Sequence, residues 1–268
     1  MRIERADDAF QLLEALRHNR RKREQRGEFL VEGVQAIDRC LAAGWPLRAV
    51  LAPIGATTPS RWAAGVRGRL RDVELVELAP PLFARLADRE DLPELLLVAR
   101  IPERSLSHLP RPADGVVVLV DRPSSPGNLG TIIRTADALG AAGLALVGHG
   151  AHVYDPRTVR ASVGSVFLLP IASVASHEAL VTWLDGWRAE APALTVLATD
   201  EDGELVLDGS THLSRPALLL LGSERTGLSR ALRDLADATV AIPMTGSASS
   251  INVAVAHGIV LHALLSLP

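Results

Sequence analysis

A short apolar strand, followed directly by a glycine-broken loop and a helix, constrains this chain more than any other feature. Residues 116–120 read VVVLV and are bounded by Gly115 and Asp121, which predicts a buried strand. The loop that follows, RPSSPGN, leads into an apolar stripe at helical spacing. In open α/β sheets, ligands bind beyond the carboxyl ends of such strands. The segment 121–140 therefore predicts a ligand-binding strand, loop and helix.

Two polar residues of this segment are the first candidates for chemistry. Asn128 occupies the expected N-cap of the helix, and Arg134 lies off the apolar stripe. The stripe consists of Ile132, Ile133, Ala136 and Leu139. An arginine taken alone is more simply explained as surface charge, so Arg134 gains its weight from the segment around it. Both side chains are expected to face a site at the carboxyl end of the strand.

Length and composition fit two ordinary domains of a globular protein. The chain has 268 residues, of which 48% are hydrophobic, enough for proper cores. No apolar run approaches the roughly 20 residues that cross a bilayer, and the charged start MRIERADDAF is unlike a signal peptide. We therefore expect a cytoplasmic protein without a membrane segment. The single cysteine, Cys40, offers neither a disulfide nor a structural zinc site within one chain.

A basic cluster stands out against the slightly acidic chain. The formal net charge is −3, yet residues 17–26 read RHNRRKREQR, with six lysines or arginines and only Glu24 against them. Such a cluster suits a phosphate backbone and makes binding salt-dependent. Taken alone, it is more simply a solvated helix end. In the segment 154–171, Arg160 is explained equally well by phosphate contact and by a salt bridge to Asp155 or another acidic residue.

Helical and strand-like segments alternate along the whole chain. In the first part, we predict helices at 7–18, 34–43, 60–70 and 81–87 and strands at 28–31, 48–52, 73–76 and 95–99. In the second part, we predict strands at 116–120, 144–147, 194–198, 218–221 and 239–242, with helices in the gaps. The proline-containing stretch 101–115 predicts a connector. The pattern predicts α/β domains at 1–108 and 109–268, with parallel pairing in the second.

A second apolar strand, at 218–221, also ends in a glycine-containing loop. Gly222 lacks a side chain and would let the backbone approach a ligand closely. Glu224 follows, and its simpler interpretation is a carboxylate favoured by the N-terminus of a helix at 229–235. A phosphate-binding P-loop is excluded, because Leu228 replaces the lysine that this motif requires.

A third strand end, at Ile242, is followed by small residues and by an apolar helix predicted at 251–265. Either Ser249 or Ser250 is explained as well by capping this helix as by contact with a substrate. Asn252 interrupts the apolar helix face and needs a polar partner.

Other patterns carry little chemistry. His149 and His152 suggest a metal pair, but no carboxylate or cysteine completes the set, so we interpret them as loop histidines. His257 and His262 are more typical of core-edge or interface positions. A nucleotide-dependent oxidoreductase is disfavoured, because no G-x-G-x-x-G turn with an acidic partner is present.

Three segments resemble, in order, the three signatures of the TrmH/SpoU-type RNA ribose 2′-O-methyltransferases of the SPOUT class. The first is the spacing from Asn128 to Arg134, the second is LLLLGSERTGLS at 218–229, and the third is IPMTGSASSINVAVA at 242–256. The segment FLVEGVQAIDRCLAAG at 29–44 resembles the start of the family's substrate-binding domain. The chain departs from the pattern at two positions of the third signature: Ile251 stands where leucine is usual, and Ala254 where serine is common.

The resemblance implies an S-adenosyl-L-methionine-dependent methyltransferase that acts on the ribose 2′-hydroxyl of structured RNA, preferably ribosomal RNA. It implies an L30e-like α/β domain followed by a SPOUT α/β domain with a trefoil knot, an exception to the general rule against knots. It also implies a homodimer through the C-terminal domain, with the apolar final helix as the candidate contact face. Transfer RNA as the substrate, or a non-catalytic RNA-binding or ribosome-assembly factor that keeps the fold, are the alternatives.

The family's functional residues carry over onto matching positions. The catalytic set would be Arg134, Asn128, Glu224, Ser250 and Asn252. The cofactor would lie against Thr199, Gly222, Ile242 and Ile251. With RNA as the substrate, we expect phosphate contacts from Arg20, Arg21, Arg23 and Arg160, and we expect no metal. Because an arginine is nearly always protonated, Arg134 is expected to clamp a phosphate and stabilise the developing alkoxide rather than act as a base.

Overall fold

The structure of the chain is a computed structural model that describes residues 1–55, 59–87, 92–208, 211–248 and 250–266. Its contacts divide the chain into two compact units. The first consists of Met1–Pro102 and His152–Phe167, and the second of Glu103–Ala151 and Leu168–Pro268. Each unit is organised around its own sheet.

The first unit is built on a five-stranded mixed sheet. Its strands are β1 (Arg2–Ile3), β2 (Glu28–Glu32), β3 (Leu47–Pro53), β4 (Glu74–Leu78) and β5 (Leu96–Arg100), in the order β1-β4-β3-β5-β2. Its helices include α1 (Asp8–His18), α2 (Arg20–Arg26), α3 (Val34–Ala42), α4 (Arg61–Arg69) and α5 (Pro80–Leu86). Strand β5 runs antiparallel to β2 and β3, whereas β4 runs parallel to β1 and β3.

The second unit is built on a seven-stranded sheet in which the described pairs are all parallel. Its strands are β6 (Val116–Asp121), β7 (Gly143–Val147), β8 (Ile171–Ser173), β9 (Thr195–Thr199), β10 (Leu205–Val206), β11 (Ala217–Leu221) and β12 (Ala238–Ala241), in the order β10-β12-β9-β11-β6-β7-β8. Its helices are α6 (Pro126–Leu139), α8 (His177–Glu190), α9 (Arg230–Arg233) and α10 (Val253–Ser266), whereas α7 (Pro156–Ala161) packs with the first unit. The predicted α/β fold with parallel pairing is confirmed; the trefoil knot stays a prediction.

The apolar runs of the sequence predicted the central strands well. Each strand predicted from an apolar run is present, with ends shifted by one or two residues. The prediction missed β1, β8 and β10, because two or three residues are too few to form a recognisable apolar pattern. Among the helices that the structure describes, none is both long and apolar enough to span a membrane.

Aromatic packing attaches the segment His152–Phe167 to the first unit. The ring of Tyr154 lies 4.6 Å from that of Phe29, and Phe167 packs on Trp45 with ring centroids 5.0 Å apart. The Nε1 of Trp45 also donates a hydrogen bond to the carbonyl oxygen of Phe167 at 3.1 Å. The sequence placed this segment inside 109–268, because periodicity carries no signal for distant aromatic contacts. The domain ranges 1–108 and 109–268 stay a prediction.

Helix α10 buries a histidine in the second unit. Its buried face consists of Ala254, His257, Val260, Leu261 and Leu264. His257 is 0% exposed, and neither ring nitrogen has a hydrogen-bond partner among the described residues. Burial lowers the pKa of His257 to about 4, so the ring is neutral in the folded chain near neutral pH.

We expect His257 to make the fold sensitive to acid. An unfolded histidine has a pKa of about 6.5, above the folded value of about 4, so the unfolded chain binds the proton first as the pH falls. The contribution to stability is therefore complete above about pH 6.5 and falls by up to about 1.4 kcal/mol per pH unit down to about pH 4. In urea titrations, His257→Leu should lose less unfolding free energy than the wild type between about pH 7 and about pH 5.

The matched control is His177→Leu, at the exposed start of α8. It should leave the acid dependence of the unfolding free energy unchanged. If lowering the pH from about 7 to about 5 reduces the unfolding free energy of the wild type and of His257→Leu equally, the prediction is contradicted.

Candidate functional site

The ends of β6 and β11 bring the first two motif segments together. The strands pair in parallel, with Val120 opposite Leu221. Asp121 and Gly222, the next residue of each segment, are therefore neighbours at the carboxyl edge of the sheet. Asp121 is 1% exposed, and its Oδ2 accepts a hydrogen bond from the backbone N–H of Ser229 at 2.7 Å. A side chain of the first segment thus anchors the loop of the second.

Glu224 and Asn128 together join all three motif segments. Its Oε2 accepts a hydrogen bond from the Ser124 hydroxyl at 2.6 Å, and its Oε1 accepts one from Asn128 Nδ2 at 2.8 Å. Asn252 Nδ2 in turn donates to Asn128 Oδ1 at 3.1 Å. We call Ser124, Glu224, Asn128 and Asn252 the motif network. One of its hydrogen bonds, between Asn128 and Asn252, joins residues that lie 124 positions apart in the chain.

The charge of Glu224 sets the orientation of the network. Burial would raise the pKa of the Glu224 carboxyl, but hydrogen bonds from Ser124 and Asn128 hold that pKa below its usual value. An ionised carboxylate only accepts hydrogen bonds, so Asn128 must turn its NH2 group toward Glu224 and its oxygen toward Asn252. The partners of Glu224 thus lie at the start of α6, where the backbone N–H of Ser124 also donates to Oε2 at 3.3 Å, rather than in the predicted helix at 229–235.

The sequence assigned the wrong cap to α6. The helix begins at Pro126, and its N-cap is Ser125, whose Oγ accepts a hydrogen bond from the Asn128 N–H at 3.3 Å. Asn128 stands in the first turn instead. Proline suits the first helical position, where its missing N–H would have no partner within the helix. Because the backbone N–H of Asn128 bonds to the cap, its side chain is available to the motif network.

Asn252 lies at the N-cap of α10 rather than within its apolar face. Its Oδ1 accepts a hydrogen bond from the Ala254 N–H at 2.8 Å, as a capping side chain does. Asn252 therefore has two of the polar partners that the sequence led us to expect, the Ala254 N–H at the helix end and the Asn128 side chain. Ser250 is exposed, and Ser249 lies outside the described residues.

Arg134 is exposed on α6 and lies outside the motif network. It follows Asn128 by six residues, which places it about 120° around the helix. No hydrogen bond or ion pair between described residues holds its guanidinium. The structure therefore leaves this charge available to a bound ligand, but it does not bring Arg134 and Asn128 into contact.

Three of the four expected cofactor residues follow neighbouring strand ends. Strand β9 lies between β11 and β12, so Thr199, Gly222 and Ile242 end up along one edge of the sheet. Thr199 is half-buried, and its hydroxyl donates to the carbonyl oxygen of Leu220 at 3.3 Å. Ile251, the fourth, precedes α10 and is 38% exposed.

The structure shows why position 222 must be a glycine, which the sequence did not reveal. A Cβ atom there would lie 2.5 Å from the carbonyl carbon of Gly227 and from the nitrogen of Leu228. The loop turns back over Gly222, and Ser223 and Gly227 exchange two backbone hydrogen bonds of 3.0 and 3.1 Å. Close approach of a ligand is therefore not needed to explain this glycine.

In the first unit, Arg23 is buried rather than exposed to RNA. It is 2% exposed, and its guanidinium donates to the carbonyl oxygens of Leu16 and Arg17 at 2.9 and 3.0 Å and to Asp155 at 3.3 Å. A buried charge needs such partners, because it has lost its hydration. Arg23 therefore holds the end of α1, α2 and the start of α7 together, and it is not a surface phosphate contact.

The Arg23–Asp155 pair connects α2 and α7, two helices of the first unit that carry exposed arginines. Asp155 is the N-cap of α7 and also accepts from Arg157 Nε at 3.0 Å. Arg21 and Arg160, on α2 and α7, are exposed. The basic cluster at 17–26 thus spans the end of α1 and the separate helix α2.

No group of three or more potential ligands that could hold a metal ion occurs among the described residues. His152, one half of the suggested pair, is largely buried, and burial together with nearby arginines lowers its pKa to about 4. Its Nδ1 lies 3.4 Å from Arg23 Nε, and its Nε2 lies 3.8 Å from Glu24. His152 therefore belongs to the packing around Arg23.

Comparison with known proteins agrees with this geometry. Residues 115–262 match the SpoU rRNA Methylase family, and residues 7–97 match the SpoU L30e-like domain. The chain belongs to the SpoU rRNA methylase family. The predicted family and the two-domain α/β fold class are therefore confirmed, and all three signature segments lie within the first match.

Similar members of the SpoU family match the chain over nearly its whole length. The 23S rRNA (uridine(2479)-2'-O)-methyltransferase of Streptomyces viridochromogenes is 43% identical, over 97% of this chain and 90% of that protein. The 23S rRNA (adenosine(1067)-2'-O)-methyltransferase of Streptomyces laurentii is 31% identical, over 97% and 93%. The crystal structure of the SpoU methyltransferase AviRb from Streptomyces viridochromogenes, in complex with AdoMet, is 42% identical, with a TM-score of 0.90 and coverage of 97% of both chains.

Sequence reasoning missed three polar residues of this SpoU family member: Ser124, Asp121 and Arg122. Ser124 supplies a hydrogen bond to Glu224, and Arg122 pairs with the buried Asp121. One signal was available, because an acidic residue at the end of a fully apolar strand must find partners. Nothing in the sequence distinguished Ser124 from the other small residues of its loop.

Proposed function

We propose that this chain transfers a methyl group from S-adenosyl-L-methionine to a ribose 2′-hydroxyl of ribosomal RNA. The observation that supports this best is the motif network, which joins three family signatures beyond the carboxyl edge of a parallel sheet. Two relatives that cover nearly the whole chain are named as 23S rRNA 2′-O-methyltransferases. Action on ribosomal RNA implies a cytoplasmic enzyme.

The strand ends fit the cofactor. Thr199, Gly222 and Ile242 would offer backbone and hydroxyl groups along one edge of the sheet, where α/β sheets bind ligands. Ile251 and Met244 are 38% and 39% exposed and would offer apolar surface to the adenosyl part. When bound, S-adenosyl-L-methionine supplies a methyl group that is already activated on a sulfonium sulfur.

The acceptor oxygen requires most of the protein's help. As the bond from sulfur to the methyl carbon breaks and a bond from the ribose 2′-oxygen to that carbon forms, the hydroxyl proton passes to water. Negative charge develops on the oxygen and needs an electrostatic partner. Arg134 is exposed and permanently charged, and it clamps the neighbouring phosphate and stabilises the developing alkoxide. The amides of Asn128 and Asn252, fixed by Glu224, orient the ribose together with the Ser250 hydroxyl.

Arg134→Ala should abolish most of the methyl transfer while cofactor binding is retained. Removal of a key electrostatic stabiliser costs about two or more orders of magnitude in rate. The assay transfers labelled methyl from S-adenosyl-L-methionine to RNA from cells that lack this protein, and nuclease digestion then identifies the modified nucleoside. Calorimetry measures cofactor binding. The matched control is Arg230→Ala, because the Arg230 side chain is 94% exposed on α9 and should be dispensable.

The outcomes separate the alternatives. A 2′-O-methylated nucleoside in ribosomal RNA supports the proposal. Label in transfer RNA alone would show that the substrate is transfer RNA rather than ribosomal RNA. Absence of transfer to every RNA, with the cofactor bound, would favour a non-catalytic assembly factor. Undiminished turnover by Arg134→Ala would remove the role assigned to this residue.

We assign the exposed cations of α2 and α7 to contact with RNA phosphates. Arg20, Arg21 and Arg160 carry this role, and the buried pair of Arg23 and Asp155 holds their helices in place before RNA binds. Arg20 also pairs with Glu24 at 2.7 Å, which weakens its share of the field. Arg21 is therefore a better residue to test than Arg20, and Arg160 tests the contribution of α7.

Arg21→Ala and Arg160→Ala should each weaken binding of deproteinised 23S ribosomal RNA and reduce its salt dependence. Loss of one phosphate contact lowers the slope of log K against log salt by about 0.7 to 1. Filter binding over a salt series measures the slope. Arg67→Ala, on the exposed surface of α4 in the same unit, is the control. Unchanged slopes for both variants would exclude the exposed arginines of α2 and α7 as RNA contacts.

The exposed stripe of α10 supports a homodimer through the second unit. Val255 and Ile259 are 54% and 41% exposed, and they line an open groove of about 620 Å³ between α6 and α10. Asn128 and Asn252 line the same groove. A second copy of the chain on this groove would bury apolar surface and cover part of the motif network.

Val255→Glu should convert the dimer to a monomer, because it places a charge in an apolar contact. Sedimentation velocity measures the mass. Leu168→Glu alters another residue of the same unit with comparable exposure, 48%, and should leave the mass unchanged. If the wild type is a monomer, or if Val255→Glu remains a dimer, the exposed stripe of α10 is not the dimer contact.

A further inference from the structure

Asp121 and Arg122 form a second connection between the first two motif segments. Arg122 Nε and Nη2 donate to the two carboxylate oxygens of Asp121 at 2.9 and 3.0 Å, and Nη2 also donates to the Gly227 carbonyl oxygen at 3.3 Å. Asp121 itself accepts from the Ser229 N–H at 2.7 Å. We call this pair of residues the Asp121–Arg122 clamp. It holds the far end of the turn 223–227, which carries Glu224.

The backbone at Arg122 is strained. Its φ is 46°, in the left-handed region that residues with side chains rarely adopt. Gly148 makes room for the side chain, since a Cβ there would lie 2.6 Å from Arg122 Cγ. Strained residues persist only where their surroundings hold them, and they concentrate at functional sites. The chain therefore maintains Arg122 in this position against its backbone preference.

We propose that Arg122 is a positioning residue that fixes the turn 223–227 and thereby orients Glu224 for methyl transfer. This inference rests on the proposed function of the motif network. The bonds of Ser124 and Asn128 to Glu224 are exposed to water, whereas Asp121 is 1% exposed. A buried carboxylate with a bidentate arginine is the more rigid anchor. Arg122 acts through Glu224 and does not itself touch the reacting groups.

Two variants separate the clamp from the fold. Arg122→Gly removes the guanidinium and relieves the backbone strain, so the unit should stay folded. Arg122→Lys keeps the charge but cannot form the bidentate pair. Val163→Gly is the matched control, because Val163 has a φ of 52° in the first unit and is also relieved by glycine.

Hydrogen exchange of the chain without RNA or cofactor tests the clamp itself. In Arg122→Gly, we expect the amides of Gly227 and Ser229 to exchange about tenfold faster or more, with an unchanged melting temperature. In Val163→Gly, these amides should keep their wild-type rates. Unchanged exchange in Arg122→Gly would overturn the proposal without bearing on methyl transfer.

Kinetics with ribosomal RNA test whether the clamp acts through Glu224. Arg122→Gly should lower kcat about tenfold and leave the KM for RNA unchanged, and Arg122→Lys should restore part of kcat. In a Glu224→Ala background, Arg122→Gly should cause no further loss, because both changes remove the same support. Additive losses, or an unchanged kcat, would overturn the proposal. A wild type without methyl transfer would instead refute the proposed function.

Discussion

The parallel pairing of β6 with β11 is the constraint on which the site depends. Every residue of both strands is buried, so a slip in register would bring mismatched side chains into a packed core. The register places Asp121 beside Gly222, although the loops that follow are about a hundred positions apart. Because the apolar strands fix this position, the polar groups beyond them can serve orientation rather than stability. The bonds of Glu224 to Ser124 and Asn128 and the Asp121–Arg122 clamp both follow from this one pairing.

The sequence predicted what depends on local pattern. Apolar runs between turn residues predicted the central strands, and the resemblance to the three family signatures predicted which segments would lie together. It could not predict which of several small polar residues caps a helix, so Ser125 and Asn252, rather than Asn128 and a serine, have the capping roles. Capping depends on where the backbone turns, and that is set by packing beyond the helix. The meeting of these segments was therefore predictable, but the individual hydrogen bonds were not.

The basic cluster shows the same limit within a single helix. Its sequence gives Arg21 and Arg23 equal weight, since both carry the same charge. Helical rotation separates them, and Arg23 is 2% exposed while Arg21 is exposed. The decisive partner, Asp155, lies 132 positions further along the chain. One arginine thus became part of the fold and the other part of the surface, for a reason that local charge counting does not contain.

Helix α10 is apolar on more sides than its own unit buries. It covers the core with Val260, Leu261 and Leu264, yet Val255 and Ile259 remain exposed on the side that also holds Asn252. A helix that is apolar around most of its circumference belongs in an interior, and the proposed dimer would supply the side of that interior that the chain itself leaves open. A partner there would also withdraw water from Asn128 and Asn252, and hydrogen bonds strengthen where water is excluded. The same surface would thereby complete the packing of the helix and sharpen the orientation of the motif network.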